Sequence, residues 1–546
     1  MAHRSRTLGA LAASGLILAA TACGGGAASD DDGGGGDGGS AAADELVVAY
    51  SQDIDTLDPH QFKTDAGYGV GGNIYGTLLQ ESYTDGGDGV LSYAGESAPF
   101  LAESATWDDA QTTLTFVLKD GLTFAGGEPV TSEDVVWSLQ RALSDVGYVQ
   151  AIGQWLNVTD PATDIVATDE RTVQLHVTHY SPLIEQFLAF QIFAILDKSA
   201  VEAQAGPDDP WGAVYLADEA TASGPYVVES RVPGQSMTLT KNPDFTAADL
   251  ADAPERIVVQ SMPDPQQAFL ALQNGAVDVI FGMTPDTAQA LEQDPGLRLY
   301  DLEYSLVAYV GFNYEDPALQ DVRIRQALSY LMPYDALRED VMKGYAGAAY
   351  GAVPYPMRDA LDESGEKVAY PTDVEKAKEL LAEAGYGPGE LSLTLSVPAT
   401  DEALSQSAVF IQSALQEGGV NIEVNEMSDA DYNENLGSMQ MFLDSWYSWG
   451  QDSVYQMFFL LTSGVFTNYT NYSNAEVDEL VRQAMATTDP DERRELSQQA
   501  QQLIIDEAPW AFLFTRDYLV GASEGVEGIT HSNDANLRFD QLRVAN

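Results

Sequence analysis

The stretch Leu101–Leu143, LAESATWDDAQTTLTFVLKDGLTFAGGEPVTSEDVVWSLQRAL, carries two hydrophobic periods in one run. Leu114, Phe116 and Leu118 alternate with polar residues, the period of a strand with one face buried, and Asp120-Gly121 then supplies a turn. Past Pro129 the period changes. Thr131 is placed to cap a helix whose first turn holds Glu133 and Asp134, and Val135, Leu139 and Leu143 recur on one face of it. A strand hairpin feeding a capped amphipathic helix predicts α/β architecture.

The rest of the chain repeats the mixture. LVVAYSQD from Leu46 predicts a buried strand, and IVVQSM, AVDVIFGM, VAYVGFN, LSLTLSV, VNIEVNEM and QMFLDSW predict others. Between them lie helices with legible starts. Thr372 or Asp373 caps a helix that stops at Gly385. Ser473 and Glu476 are spaced as a capping box, and Asp489-Pro490 provides a cap followed by proline at the first helical position. A chain of 546 residues exceeds one hydrophobic core, so several domains with mixed sheets are expected.

Composition excludes whole classes of function. The chain holds 84 acidic and 25 basic residues, a net charge of −59. Such a surface repels phosphate backbones, so nucleic acid is not a partner. The only cysteine, Cys23, cannot form an internal disulfide. It follows a basic His3–Arg6 segment and the apolar run Leu8–Ala20, in the context Ala20-Thr21-Ala22-Cys23-Gly24. This pattern predicts a signal peptide over 1–22 and Cys23 as the lipid attachment site of a bacterial lipoprotein. Residues 23–45 then form a Gly/Asp-rich tether, with a reach of roughly 25 Å if flexible. The expected location is extracytoplasmic, held to the cell membrane by the lipid.

Two catalytic patterns fail on context. Gly67–Gly72 fits GxGxxG, but no strand immediately precedes it, and a loop is expected instead of a dinucleotide site. Gly521–Gly525 fits GxSxG, but strand or loop follows where a nucleophile elbow needs a helix. His176 and His179 are expected on a strand and no cysteine remains to join them, so no metal and no cofactor is expected. A secreted hydrolase is the disfavoured alternative.

The order of these segments resembles the family 5 extracellular solute-binding proteins of ABC importers, the oligopeptide/dipeptide-binding type. The resemblance covers Leu46 onward. It rests on IDTLDPH (54–60), NIYGTLLQES with Gly76 where glutamate is usual, the Leu101–Leu143 stretch with its S-x-x-R end, ASGPYVVESRVPGQSMTLTKNPDF, FLALQNGAVDV, VGFNYEDPALQDVRIRQALSYLM and AKELLAEAGY. It implies a type II periplasmic-binding-protein-like α/β fold of two main lobes with mixed sheets and an extra inserted α/β domain. Lobe I would comprise 46–80, 201–301 and 519–546, the inserted domain 81–200, and lobe II 302–518. Hinges would lie near Asp301–Tyr304 and Arg516–Gly521. Asp321, Arg323 and Arg325 would be polar anchors of the fold. Expected partners are a small solute, peptide or oligosaccharide, and the permease and ATPase subunits of an importer, with the chain itself a monomer and not an enzyme.

The resemblance also assigns a site. Peptide-binding members carry a W-x-x-D segment whose Asp pairs with the peptide's amino terminus. In DSWYSWGQDSVYQMFF (444–459), Trp446 takes the Trp position and Trp449 the Asp position. Asp452 follows where a D-P pair is usual, with Ser453 replacing the proline. Ser445, Trp446, Tyr447, Trp449 and Asp452 are therefore expected at the solute, with Asp444 an alternative carboxylate. An indole offers an ammonium roughly 0.5–2 kcal/mol of cation–π attraction, a poor substitute for a carboxylate. The departure leaves an oligosaccharide or another non-peptide solute open beside a peptide.

Overall fold

The computed structural model describes residues 45–147, 153–532, 534 and 536–544. Every described residue belongs to one compact unit. The signal peptide, Cys23 and nearly all of the tether lie outside the described residues. Among those residues no helix is long and apolar enough to cross a membrane.

The main sheet has eleven strands among the described residues. Its path runs Val420–Met427, Leu391–Pro398, Met441–Trp446, Leu297–Phe312, Trp510–Ser523, Val279–Phe281, Glu45–Tyr50, Arg256–Ser261, Ser236–Lys241 and Tyr226–Val232, with Ala346–Ala348 added against Trp510–Ser523. Parallel and antiparallel pairs both occur along it, as expected of mixed α/β lobes. The two long central strands, Leu297–Phe312 and Trp510–Ser523, pair with each other at the centre of this sheet. Their register breaks between Leu302↔Tyr518 and Leu306↔Arg516, so residues 303–305 face Asp517 alone. This irregularity falls in the two segments that the sequence marks as crossovers.

A separate four-stranded sheet, Ala102–Trp107, Thr113–Leu118, Thr172–His176 and Ile165–Asp169, carries the Leu101–Leu143 stretch. Thr131 caps the Ser132–Ala142 helix in a reciprocal box with Asp134. The hairpin Leu79–Gly87/Val90–Pro99 is not part of this sheet. It pairs instead with Ile529–His531, residues from the C-terminal segment.

The Asp58 and S-x-x-R motifs meet each other. Arg141 Nη1 and Nη2 donate to Asp58 Oδ1 and Oδ2 at 2.8 and 2.6 Å, with both side chains fully buried, and His60 Nδ1 lies 2.8 Å from Arg141 Nη1. Burial, then Arg141, holds His60 well below the usual imidazole range. The pair locks the loop after the first strand onto the inserted sheet's helix. Arg325 serves similarly, donating to the carbonyls of Glu507, Ala508, Leu319 and Gln320. Asp321 caps its helix and pairs with Arg323 at 2.5 Å.

Two local expectations are corrected. Gly67–Gly72 is not a loop but the middle of a buried helix, Asp65–Ile74, capped by Thr64. The glycines let that helix approach its neighbours. A Cβ at Gly71 would collide with the Phe62 ring, and one at Gly69 would reach 3.0 Å from Tyr50 Cζ. Close packing outweighs glycine's poor helix propensity here. The Ala475–Ala486 helix is capped by Asn474, not Ser473. Asn474 Oδ1 accepts from the Glu476 and Val477 amides, while Ser473 bonds Ser463. Asp373 and Asp489 cap as expected.

Candidate functional site

The strand Met441–Trp446 ends the QMFLDSW segment and delivers the aromatic stretch to the region between the halves. It pairs with Val307–Phe312. Alternation along it puts Asp444 and Trp446 on the face of buried Phe442, and Ser445 on the opposite face with Met441 and Leu443, which belong to a different core cluster. Ser445 and Trp446 therefore cannot both present their side chains to one solute from this strand.

Beyond the strand the rings join distant parts of the chain. Trp449 packs edge-on against Tyr68 of the Gly-rich helix, with centroids 5.8 Å apart, and tilted against Phe190 at 5.9 Å. Its Nε1 donates to the Tyr447 hydroxyl at 2.6 Å. Tyr447 approaches Tyr304 at 6.1 Å, Tyr304 meets Tyr518 at 5.7 Å, Tyr518 meets Phe281 at 4.7 Å, and Phe281 meets Tyr50 at 5.2 Å. This ring series passes the register break of the two long strands. The indole nitrogen of Trp446 is buried with no acceptor, and so is the Tyr50 hydroxyl. Two orphaned buried donors beside the ring series are groups for which a polar ligand atom would supply a partner.

Two carboxylates border the rings. Asp65 stands one turn before Tyr68 on the same helix face. Its side chain reaches solvent, yet protein surrounds it closely enough that desolvation raises its pKa, a rise that the nearby Tyr518 partly opposes. A carboxylate that is wet but enclosed is what the wall of a cleft presents. Asp444 is pushed up to about 6 by burial, against the Ser445 amide at 2.8 Å and the Tyr309 hydroxyl at 3.4 Å, with Asp401 adding to the rise. Both are held where a cationic ligand group would lower their pKa again.

Asp452, expected at the solute, is taken by the fold instead. It is 2% exposed, caps the helix Ser453–Leu461 through the Val454 and Tyr455 amides at 3.0 Å, and receives both Arg493 nitrogens at 2.6 and 2.7 Å. Burial alone would raise its pKa, but Arg493 and the amides together hold it below the ordinary value. The expected site thus divides. Tyr447 and Trp449 meet through a hydrogen bond, Asp444 and Trp446 share one face of the strand before them, Ser445 lies on the other face, and Asp452 is paired with Arg493. Sequence reasoning missed Asp65, Tyr68 and Phe190, which lie far away along the chain. GxSxG ends a strand and enters a turn before Val526–Glu527, with no helix behind Ser523. No group of three or more His, Cys, Asp or Glu is placed to hold a metal ion among the described residues.

The mixed α/β architecture, with parallel and antiparallel strand pairs in one large sheet, is that of type II periplasmic binding proteins. A family model, bacterial extracellular solute-binding proteins, family 5, matches residues 96–468, and the chain belongs to that family. Members are the substrate-binding components of ABC importers, so the chain is a binding protein and not an enzyme. It is 28% identical over 494 residues to the probable D,D-dipeptide-binding periplasmic protein DdpA of Escherichia coli K12, covering 89% of this chain and 91% of that protein. It is 24% identical over 507 residues to the glutathione-binding protein GsiB of the same strain, covering 91% and 94%. Among solved structures, DppA of Helicobacter pylori in complex with the peptide STSA superposes with a TM-score of 0.77 at 22% identity, over 92% of this chain and 98% of that one. The dipeptide binding protein of Pseudoalteromonas sp. SM9913 in complex with Met-Leu gives 0.78 at 19%, over 92% and 100%.

Proposed function

We propose that the chain is a lipid-anchored receptor that captures a short peptide between its two lobes and passes it to an ABC permease. The observation that carries this reading is the seam at Trp449. A ring from the 302–518 segment touches Tyr68 and Phe190 from the segments before it, so whatever alters the seam alters how the halves meet. A ligand shifts such an equilibrium only by binding the closed arrangement better. The names of DdpA and GsiB, and the peptides bound to the similar structures, favour a peptide.

The peptide's ammonium needs an anionic partner, because an unpaired buried charge costs several kcal/mol, ~3–5 in typical cases. Trp449 stands where the family's Asp would serve. Asp65 is the replacement we favour. It lies one helical turn from the Tyr68–Trp449 contact. Asp444 is the second carboxylate at the same seam. The orphaned Trp446 indole would donate to a peptide carbonyl. An oligosaccharide is the second reading, favoured by the same substitution, since an indole stacks on a sugar ring.

Calorimetric titration of the purified protein with a di- and tripeptide library and with a set of oligosaccharides tests the reading. The expected result is peptide binding that Asp65→Asn abolishes and that amino-terminal acetylation of the peptide weakens. Sugar binding with no peptide binding replaces the first reading by the second.

A further inference from the structure

A cavity of about 460 Å³ lies away from the aromatic seam, between the segments 155–182 and 358–494. That volume suits a drug-sized or amino-acid-sized ligand. One wall is Trp155, His179, Tyr180 and Pro182; the other is Arg358, Met485 and the turn into the Pro490–Glu507 helix. The apolar walls are rigid. Trp155 packs on Tyr455, Phe458 and Phe459 at 5.1–6.1 Å, and Tyr180 is set edge-on against Trp107 at 5.3 Å.

Two observations mark this cavity as built for an anion. Arg358 is the one arginine among the described residues whose side chain has neither a hydrogen bond nor an ion pair, although the chain has 84 acidic residues to offer. Its cavity neighbours differ. Arg493 is committed to Asp452, and Arg494 to Asp491 at 2.5 Å. The indole nitrogen of Trp155 is also buried without an acceptor. A solvent-open planar guanidinium and a wall tryptophan whose buried N–H is unused, at one largely apolar cavity, match a carboxylate joined to an apolar body. One carboxylate lines the cavity, Asp359. Its pKa is raised by burial and then by Asp452, and Arg493, Arg358 and Arg494 oppose that rise, so the cations of this cavity outnumber its one carboxylate.

The geometry points to a second ligand site in this protein, a carboxylate site for small apolar organic anions, with Arg358 as the charge partner and Trp155 as a neutral donor. It does not depend on the peptide reading, because none of its lining residues belongs to the Trp449 seam. An occupant would touch both the inserted segment and the second half, and so would favour the arrangement that brings them together.

The test uses the full chain and two probes, N-acetyl-phenylalanine and N-acetyl-phenylalanine amide, which differ in the carboxylate. Titration calorimetry is expected to give binding of the acid at least about tenfold tighter than of the amide. Arg358→Gln should remove that difference, Trp155→Phe should weaken the acid severalfold, and Trp449→Ala should leave it unchanged. Because the Arg358 side chain makes no hydrogen bond and no ion pair, and acts on Asp359 and Asp452 only from a distance, Arg358→Gln should melt close to where the parent does. If it does not, Arg358→Lys, which keeps the charge without the planar fork, is read in its place and should bind with intermediate strength. Equal binding of acid and amide, full affinity in Arg358→Gln, loss of acid binding in Trp449→Ala, or no binding of the acid at all overturns the site.

Discussion

Replacing Arg493 by Met separates what Asp452 does for the fold from what the neighbouring aromatics do for a ligand. In the parent, the Asp452 carboxylate is 2% exposed and its partner's side chain 11%, with two N–H···O bonds at 2.6 and 2.7 Å. Removing the guanidinium leaves the two amide bonds of the helix cap and only the more distant positive charge of Arg358. Breaking a buried pair from one side costs about 3–5 kcal/mol, whereas replacing both partners costs far less. Arg493→Met should therefore lose about 3–5 kcal/mol at pH 7. Asp452→Asn, which keeps one acceptor for the cap, should lose less, and the double variant should recover part of the single loss. The pH dependence carries a sign. The folded-state pKa of Asp452 lies below its unfolded value, so the pair's stabilisation is complete above about pH 4 and fades as pH falls through the folded value. The gap between parent and Arg493→Met should narrow in acid. Urea unfolding followed by far-ultraviolet circular dichroism reads these differences as midpoint shifts at a common slope. A change below about 0.5 kcal/mol in Arg493→Met at pH 7, or a gap that widens in acid, would refute the buried-pair reasoning.

Three further outcomes follow from the same geometry. Trp449→Ala should weaken the captured solute by about 2 kcal/mol or more, roughly thirtyfold, in calorimetry, since a central tryptophan is a frequent hot spot. Asp517 faces the register break and is pushed up to about 8 by burial, then by Asp301 and Glu303. The folded state therefore keeps a proton that the unfolded chain releases, and stability falls as pH rises from about 4 to about 8. Asp517→Asn should flatten that slope and raise the melting temperature at pH 8 but not at pH 4, a gain on the order of 2 kcal/mol after allowance for solvent; equal melting shifts at both pH values would count against it. Gly71→Ala should cost about 1–3 kcal/mol by overpacking Phe62, visible as a lower melting temperature, whereas a neutral outcome would mean that the helix has room.

The parts of the molecule legible in its sequence are those set by local chemistry. Thr131, Asp373 and Asp489 cap where the sequence places caps, because a side-chain oxygen needs only the next turn's amides. The Gly-rich helix is hidden from such a reading because its glycines answer to Phe62 and Tyr50, contacts that propensity does not encode. At the start of the Ala475–Ala486 helix, Asn474 takes the cap from the Ser473 beside it, a choice between neighbours that spacing alone does not make. In the site, Trp446, Tyr447 and Trp449 are visible in the sequence as a cluster. Their partners Tyr68 and Phe190, and the Arg493 that claims Asp452, come from remote segments, and only the folded chain brings them together.

The hairpin at residues 79–99 has consequences for how the protein is made. Its outer strand pairs Val90, Leu91 and Ser92 with Ile529, Thr530 and His531, and Asn73 receives the Phe539 amide at 2.7 Å while donating to the Leu537 carbonyl. During synthesis that strand emerges long before its mate. For most of translation the edge is bare, the kind of template that recruits other chains. A hairpin whose sheet is completed only by a segment hundreds of residues later stays unfinished until that segment folds, and loss of residues 529–531 would unpair its outer strand.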